Sequence, residues 1–157
     1  GCIPIAIQSE RPNWEVSACD ISEEALKIAQ ENNETHETNV QFFHEDILNP
    51  TATSKKWDII VSNPPYIPMQ EMELMQKNVL DFEPHQALFV SNEDPLVFYR
   101  KIGEFAKAHL KPSGQLYFEL NEFYADATKV LIENLGFKKV EIIQDLMEKN
   151  RMLKASI

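Results

Sequence analysis

The residues of this chain best suited to chemistry are Asn63-Pro64-Pro65-Tyr66, which follow the apolar run Trp57-Asp58-Ile59-Ile60-Val61 and Ser62. Pro64 fixes its own φ, lacks an N–H and biases Asn63 to an extended conformation, and Pro65 does the same to Pro64. The Pro64 carbonyl is then aimed in one direction, beside the Asn63 side-chain oxygen. Two fixed acceptors suit the two hydrogens of one NH2 group, and Tyr66 offers a face on which the planar group bearing it can stack. The chemistry favoured is attack by an amino or amide nitrogen on an electrophile. An amide nitrogen is a weak nucleophile because its lone pair is delocalised. Acceptors on both hydrogens raise its electron density. An Asn-Pro pair is also an ordinary turn signal, but the added Pro-Tyr and the position at a strand end favour a site.

Two carboxylates stand at similar places. Asp20 lies 19 residues after Gly1. At about that distance beyond a glycine-rich turn, an acidic residue commonly accepts hydrogen bonds from ribose hydroxyls. The alternative is an Asp that begins the turn into the next helix. Asp46 follows another apolar stretch, Val40 to His44, and can accept from the exocyclic amino group of adenine or cap the next turn. No metal and no covalent nucleophile are expected, since His36, His44, His85 and His109 are scattered.

These residues need strands and helices to hold them. Ile3 to Gln8 reads as a helix and Glu15 to Cys19 as a strand ending at Asp20. Ser22 is a good N-cap, with Glu23 and Glu24 opposing the helix dipole, for a helix to about Asn33. Val40 to His44 and Trp57 to Ser62 read as strands, with Asn49 to Lys56 a polar loop between them. From Ile67 to Glu93 no element is convincing beyond a helical turn near Glu71 to Met75. Such a long irregular stretch points to function. Asp94-Pro95 opens a helix to about Leu110, Lys111-Pro112-Ser113-Gly114 reads as a turn, and Gln115 to Leu120 as a strand. Phe123 to Leu135 reads as a helix closed by Gly136. Lys138 to Gln144 and Met152 to Ile157 suit an antiparallel pair at a sheet edge. Alternating strands and helices predict an α/β fold with a mostly parallel sheet. In such sheets ligands bind beyond the carboxyl ends of the strands, where Asp20, Asp46 and Asn63 fall.

The 157 residues, 43% hydrophobic and 25% charged, predict one soluble globular domain. No apolar run approaches the roughly 18 residues of a membrane span, and no secretory leader is visible. Cys2 and Cys19 have no metal-type spacing and read as reduced thiols of a cytoplasmic protein. The net charge of −10, with no dense basic cluster, argues against nucleic acid as the main partner and either suits a basic protein or serves solubility alone. The opening Gly1-Cys2-Ile3-Pro4-Ile5 reads as the start of a helix already packed on something, as in a fragment.

The Asn63 to Tyr66 segment resembles the Asn-Pro-Pro-Tyr motif of S-adenosylmethionine (SAM) dependent amino-group methyltransferases. Phe82-Glu83-Pro84-His85-Gln86-Ala87-Leu88 resembles the Phe-Glu-Pro-x-x-Ala-Leu segment of the protein-glutamine N5-methyltransferases that act on peptide-chain release factors, the HemK/PrmC family. Lys149 to Ala155 is similar to that family's last hairpin. The resemblance implies a class I SAM-dependent methyltransferase fold, Rossmann-like, with a C-terminal antiparallel hairpin. It implies transfer of methyl to the glutamine of the Gly-Gly-Gln loop of release factors. It implies that residues 1–157 are a catalytic domain lacking the first strand, most of the glycine-rich turn and the family's helical N-terminal domain. By position, Gly1 is the last glycine of that turn, Asp20 binds the SAM ribose and Asp46 the adenine end, with Phe43 or Ile47 beside it. Asn63 and Pro64 hold the target amide next to SAM, Pro65 and Tyr66 pack beside it, and Glu83 and Pro84 line the substrate channel. Asn121, after Glu119-Leu120, stands where relatives often have glycine. Other readings are methylation of a ribosomal-protein glutamine or of a nucleobase amino group such as adenine N6, or an inert folded core.

Overall fold

The computed structural model of the chain describes residues 1–74 and 84–157. They fall into two compact units, 1–52 and 53–157. In the first, helix α1 (Cys2–Glu10) precedes strand β1 (Ser17–Asp20), helix α2 (Glu23–Thr35) and strand β2 (Gln41–His44). Strands β1 and β2 are parallel, with Ser17 opposite Gln41 and Asp20 opposite His44. The Ser22 hydroxyl accepts the Ala25 N–H at 3.2 Å, the cap its residue type predicts. Asn33 is buried, and its amide closes the return to β2. Its Nδ2 donates to the Val40 carbonyl at 3.3 Å, while its Oδ1 accepts the Val40 N–H at 3.1 Å and the Thr38 hydroxyl at 2.6 Å. Helix α2 runs two residues past its expected end at Asn33. Gly1 packs so close to α2 that a Cβ there would lie 2.8 Å from that of Ala29.

The second unit is built on a four-stranded sheet. Strand β3 (Trp57–Ser62) runs parallel to β6 (Leu110–Glu119), and β8 (Asn150–Ser156) is antiparallel to both β6 and β7 (Lys138–Gln144). The expected edge pair is present, with β8 inserted between β6 and β7. Helices α4 (Val97–His109) and α5 (Ala125–Asn134) contribute buried Tyr99, Ile102, Ala106, Ala125 and Ile132. These join Leu116, Phe118 and Leu120 at β6 with Leu153 and Ala155 on β8. Tyr99 meets Phe118 edge-on at 5.2 Å. Each large side chain so buried contributes about 1.5–3 kcal/mol. Gly136, at φ +86°, forms the helix terminus expected of it: its N–H donates to the Glu133 carbonyl at 2.9 Å, and Phe137 donates to Ile132 at 3.3 Å.

Three expectations are corrected. Between Ile67 and Glu93 the expected helical turn is present as a 3-10 turn (Met69–Leu74), but the described residues also form strand β4 (Ile67–Pro68), helix α3 (His85–Leu88) and strand β5 (Phe89–Val90), which pairs parallel with β4. Two-residue strands are too short to leave a periodic signal. Lys111 to Gly114 is not a turn between elements but an outward excursion within β6. Trp57 pairs with Leu110 and Ile59 with Gln115, so one residue of β3 faces four of β6. Helix α4 begins at Val97 rather than at Pro95, with the Val97 N–H donating to the Asp94 carbonyl and Asp94 pairing with Arg100 at 2.7 Å.

Candidate active site

In the second unit β3 delivers Asn63 at its carboxyl end, next to the carboxyl end of β6, since Ser62 is opposite Phe118. The chain then passes Pro64, which is buried, to Pro65 and Tyr66, which are half-buried. Asn63 is exposed, and no described residue hydrogen-bonds its side chain. Tyr66 is held at both ends. Its hydroxyl donates to Glu119 Oε1 at 3.1 Å, and its carbonyl accepts from Asn121 Nδ2 at 3.1 Å. Burial, and then the Glu119 carboxylate, push the Tyr66 phenol above the ordinary tyrosine range, while the Arg151 charge works the other way.

Glu119 and Asn121 are fixed in turn. The Tyr99 hydroxyl donates to the Glu119 carbonyl at 3.1 Å and accepts the Asn121 N–H at 3.3 Å. Asn121 Oδ1 accepts the Phe123 N–H at 3.0 Å and so caps the 3-10 turn Glu122–Tyr124. The Leu120 N–H donates to the Arg151 carbonyl at 2.8 Å, prolonging the pairing of β6 with β8. The Arg151 guanidinium reaches Asp145 at 3.3 Å. Burial drives the Tyr99 phenol far above its usual range, so it stays protonated as donor. The result is one exposed amide beside a segment whose exit is tied by buried polar groups.

Sequence reasoning found Asn63 to Tyr66 but not their supports, Glu119 and Tyr99. It set Asn121 apart only by its departure from a family pattern. The signal was present: Glu119 and Asn121 are also polar residues at a strand's carboxyl end. Pro84 is exposed and its carbonyl accepts the Ala87 N–H at 2.8 Å, opening α3. Phe82 and Glu83 lie outside the described residues.

In the first unit Asp20 and Asp46 emerge at the same end of the β1–β2 sheet. The Asp20 carbonyl accepts the Glu45 N–H at 3.0 Å. Asp20 Oδ1 accepts the Ser22 N–H at 2.9 Å, the turn its position suggested, and no described residue hydrogen-bonds Oδ2. Asp46 accepts Asn49 Nδ2 on one oxygen at 3.0 Å and the Leu48 N–H on the other at 2.9 Å. These bonds, that from the Asn49 side chain foremost, hold its carboxyl below the usual range. Ile47 is half-buried, Phe43 exposed, and Gly1 exposed ahead of α1. Among the described residues no group of His, Cys, Asp or Glu gathers as a metal site, and no helix is long and apolar enough to cross a membrane.

The chain is 45% identical over 157 residues to the release factor glutamine methyltransferase of Bacteroides thetaiotaomicron, covering 99% of this chain and 56% of that protein. It is 42% identical to the protein of the same name from Flavobacterium psychrophilum, over 99% of this chain and 55% of that protein. The chain thus spans about half the length of the curated relatives it matches. A methyltransferase crystal structure from Pyrococcus furiosus superposes with a TM-score of 0.68 at 21% identity, over 97% of this chain and 68% of that one. The fold is that of the class I SAM-dependent methyltransferases. The Methyltransferase small domain family matches residues 1–86, more than half of the sequence, and the chain belongs to that family.

Proposed function

We propose that residues 1–157 are the catalytic part of a SAM-dependent protein-(glutamine-N5) methyltransferase of the cytoplasm, acting on the Gly-Gly-Gln glutamine of peptide-chain release factors. The observation that carries this reading is the exposed Asn63 amide on a stiff Pro-Pro-Tyr segment tied to Glu119 and Asn121. The names of the relatives from Bacteroides and Flavobacterium support the substrate class.

The residues present fit SAM. Asp20 Oδ2 is an open acceptor for a ribose diol, while Oδ1 is anchored by Ser22. Asp46 is kept ionised by its own turn and retains lone pairs for an adenine amino group. Ile47 and Phe43 offer apolar surface beside it. When bound, SAM supplies an electrophilic methyl group on a sulfonium. Asn63 Oδ1 accepts one hydrogen of the glutamine amide and the Pro64 carbonyl the other. Tyr66 packs against the amide plane, with Pro65 keeping the wall rigid. Holding the nitrogen in line replaces a bimolecular encounter, a term worth up to roughly 7–11 kcal/mol. The nitrogen–methyl bond would form as the sulfonium carbon–sulfur bond breaks, leaving a neutral thioether, and the nitrogen would release one proton to water. Glu83 and Pro84 belong to the same proposal as residues ordering the substrate channel.

The test is mass spectrometry of a release factor after incubation with SAM and the full-length protein. A gain of one methyl on the Gly-Gly-Gln glutamine is expected. Methyl found instead on a ribosomal-protein glutamine, on a nucleobase or nowhere would overturn the proposal.

A further inference from the structure

Asn121 is buried, yet its side chain reaches back to a residue 55 positions earlier: Nδ2 donates to the Tyr66 carbonyl at 3.1 Å. The Phe123 N–H, accepted at 3.0 Å, fixes the amide orientation that makes this donation possible. Tyr66 is therefore gripped at the carbonyl by Asn121 and at the phenol by Glu119. Tyr66 stands three positions after Asn63, and the two residues between are prolines with locked φ. A segment with so few free torsions transmits a fixed end to its other end. Turning the Tyr66 carbonyl would turn the Pro64 carbonyl and swing Asn63.

We propose that Asn121 is a positioning residue for methyl transfer, setting the Asn63 and Pro64 acceptors through the Tyr66 carbonyl. Resting on the function proposed above, it adds a residue that touches no reacting atom. A glycine here keeps the backbone bond to Tyr99 and cannot make the other two.

The test uses N121S and N121G in the full-length protein. Serine remains a good N-cap for the Phe123 N–H but is one atom too short to reach Tyr66. In N121S the amides of Tyr66 and Ile67 should exchange hydrogen faster, with the melting temperature near that of the parent. Its kcat on the release factor should fall roughly tenfold, the effect of one lost hydrogen bond, with SAM affinity by calorimetry unchanged. N121G should show the same kcat and a lower melting temperature. Unaltered exchange at Tyr66 and Ile67 in N121S would overturn the strut itself. Faster exchange with an unaltered kcat would overturn its positioning role. If the parent protein methylates no glutamine, the proposed function fails, and the exchange measurement still decides the strut.

Discussion

Asn63 exposes its amide while the Asn121 amide is committed to Tyr66 and Phe123, and that asymmetry sets the first test. An acceptor left open beside a tied segment is preorganised for a guest, so its loss should act on the transition state. In the full-length protein N63A should lower kcat by about a hundredfold or more, the scale for removing one aimed polar group. The Kd for SAM in calorimetry should change little. D20N should do the reverse. It keeps the Oδ1 acceptor for Ser22 and removes the charge facing a diol, weakening SAM binding by about tenfold or more with a smaller effect on saturated turnover. Tyr66 gives a readout of its own. Burial and then Glu119 raise its pKa, so its neutral form stabilises the fold. That contribution is fully present below the unfolded value near 10 and is lost as pH rises through the higher folded value. Ultraviolet titration of the parent minus Y66F should place this phenol late, and E119Q should bring it partway back. A phenol titrating with exposed tyrosines would remove the Glu119 contact from the account.

At the scale of elements, the turn joining β7 to β8 is organised by one side chain. Asp145 Oδ1 accepts the Met147 N–H at 2.8 Å and the Lys149 N–H at 3.0 Å, and Oδ2 accepts Arg151 Nε at 3.3 Å. The Lys149 N–H above all holds this carboxyl below its usual range. Its contribution is present above the unfolded value near 3.9 and is lost as pH falls through the lower folded value. D145N should therefore be less stable than the parent at neutral pH. The gap between their melting temperatures should close on acidification below about pH 4; a constant gap would mean that charge plays no part. Two helix ends were legible because their signals are local: Ser22 and Gly136 have the types their positions demand, and G136A at φ +86° should cost about 1 kcal/mol in denaturant unfolding. The excursion at Lys111 to Gly114 looked like a turn because Pro, Ser and Gly signal one. Only pairing of β6 with β3 on both sides of it makes it part of a strand. The bond from Asn121 to Tyr66 was unreadable for a related reason, since the two residues are distant in sequence and adjacent only after two parallel strands align.

Over the whole molecule the strongest feature is charge, −10 on 157 residues. A field of that sign repels phosphate backbones and draws basic protein surfaces over roughly a Debye length, near 8 Å at physiological salt. If the guest of Asn63 is a glutamine on a basic protein, added salt should slow capture at subsaturating release factor and leave saturated turnover nearly unchanged. In kinetic terms kcat/KM falls with ionic strength and kcat does not. Excess ribosomal RNA should not compete, because nothing in the sequence forms the dense Lys/Arg cluster that releases counterions from phosphates. A nucleobase substrate reverses both expectations: RNA would inhibit, and affinity would fall steeply with salt through phosphate contacts. The experiment needs only steady-state rates at three salt concentrations with and without RNA, and it separates the two guests proposed for Asn63 by the charge of what carries them.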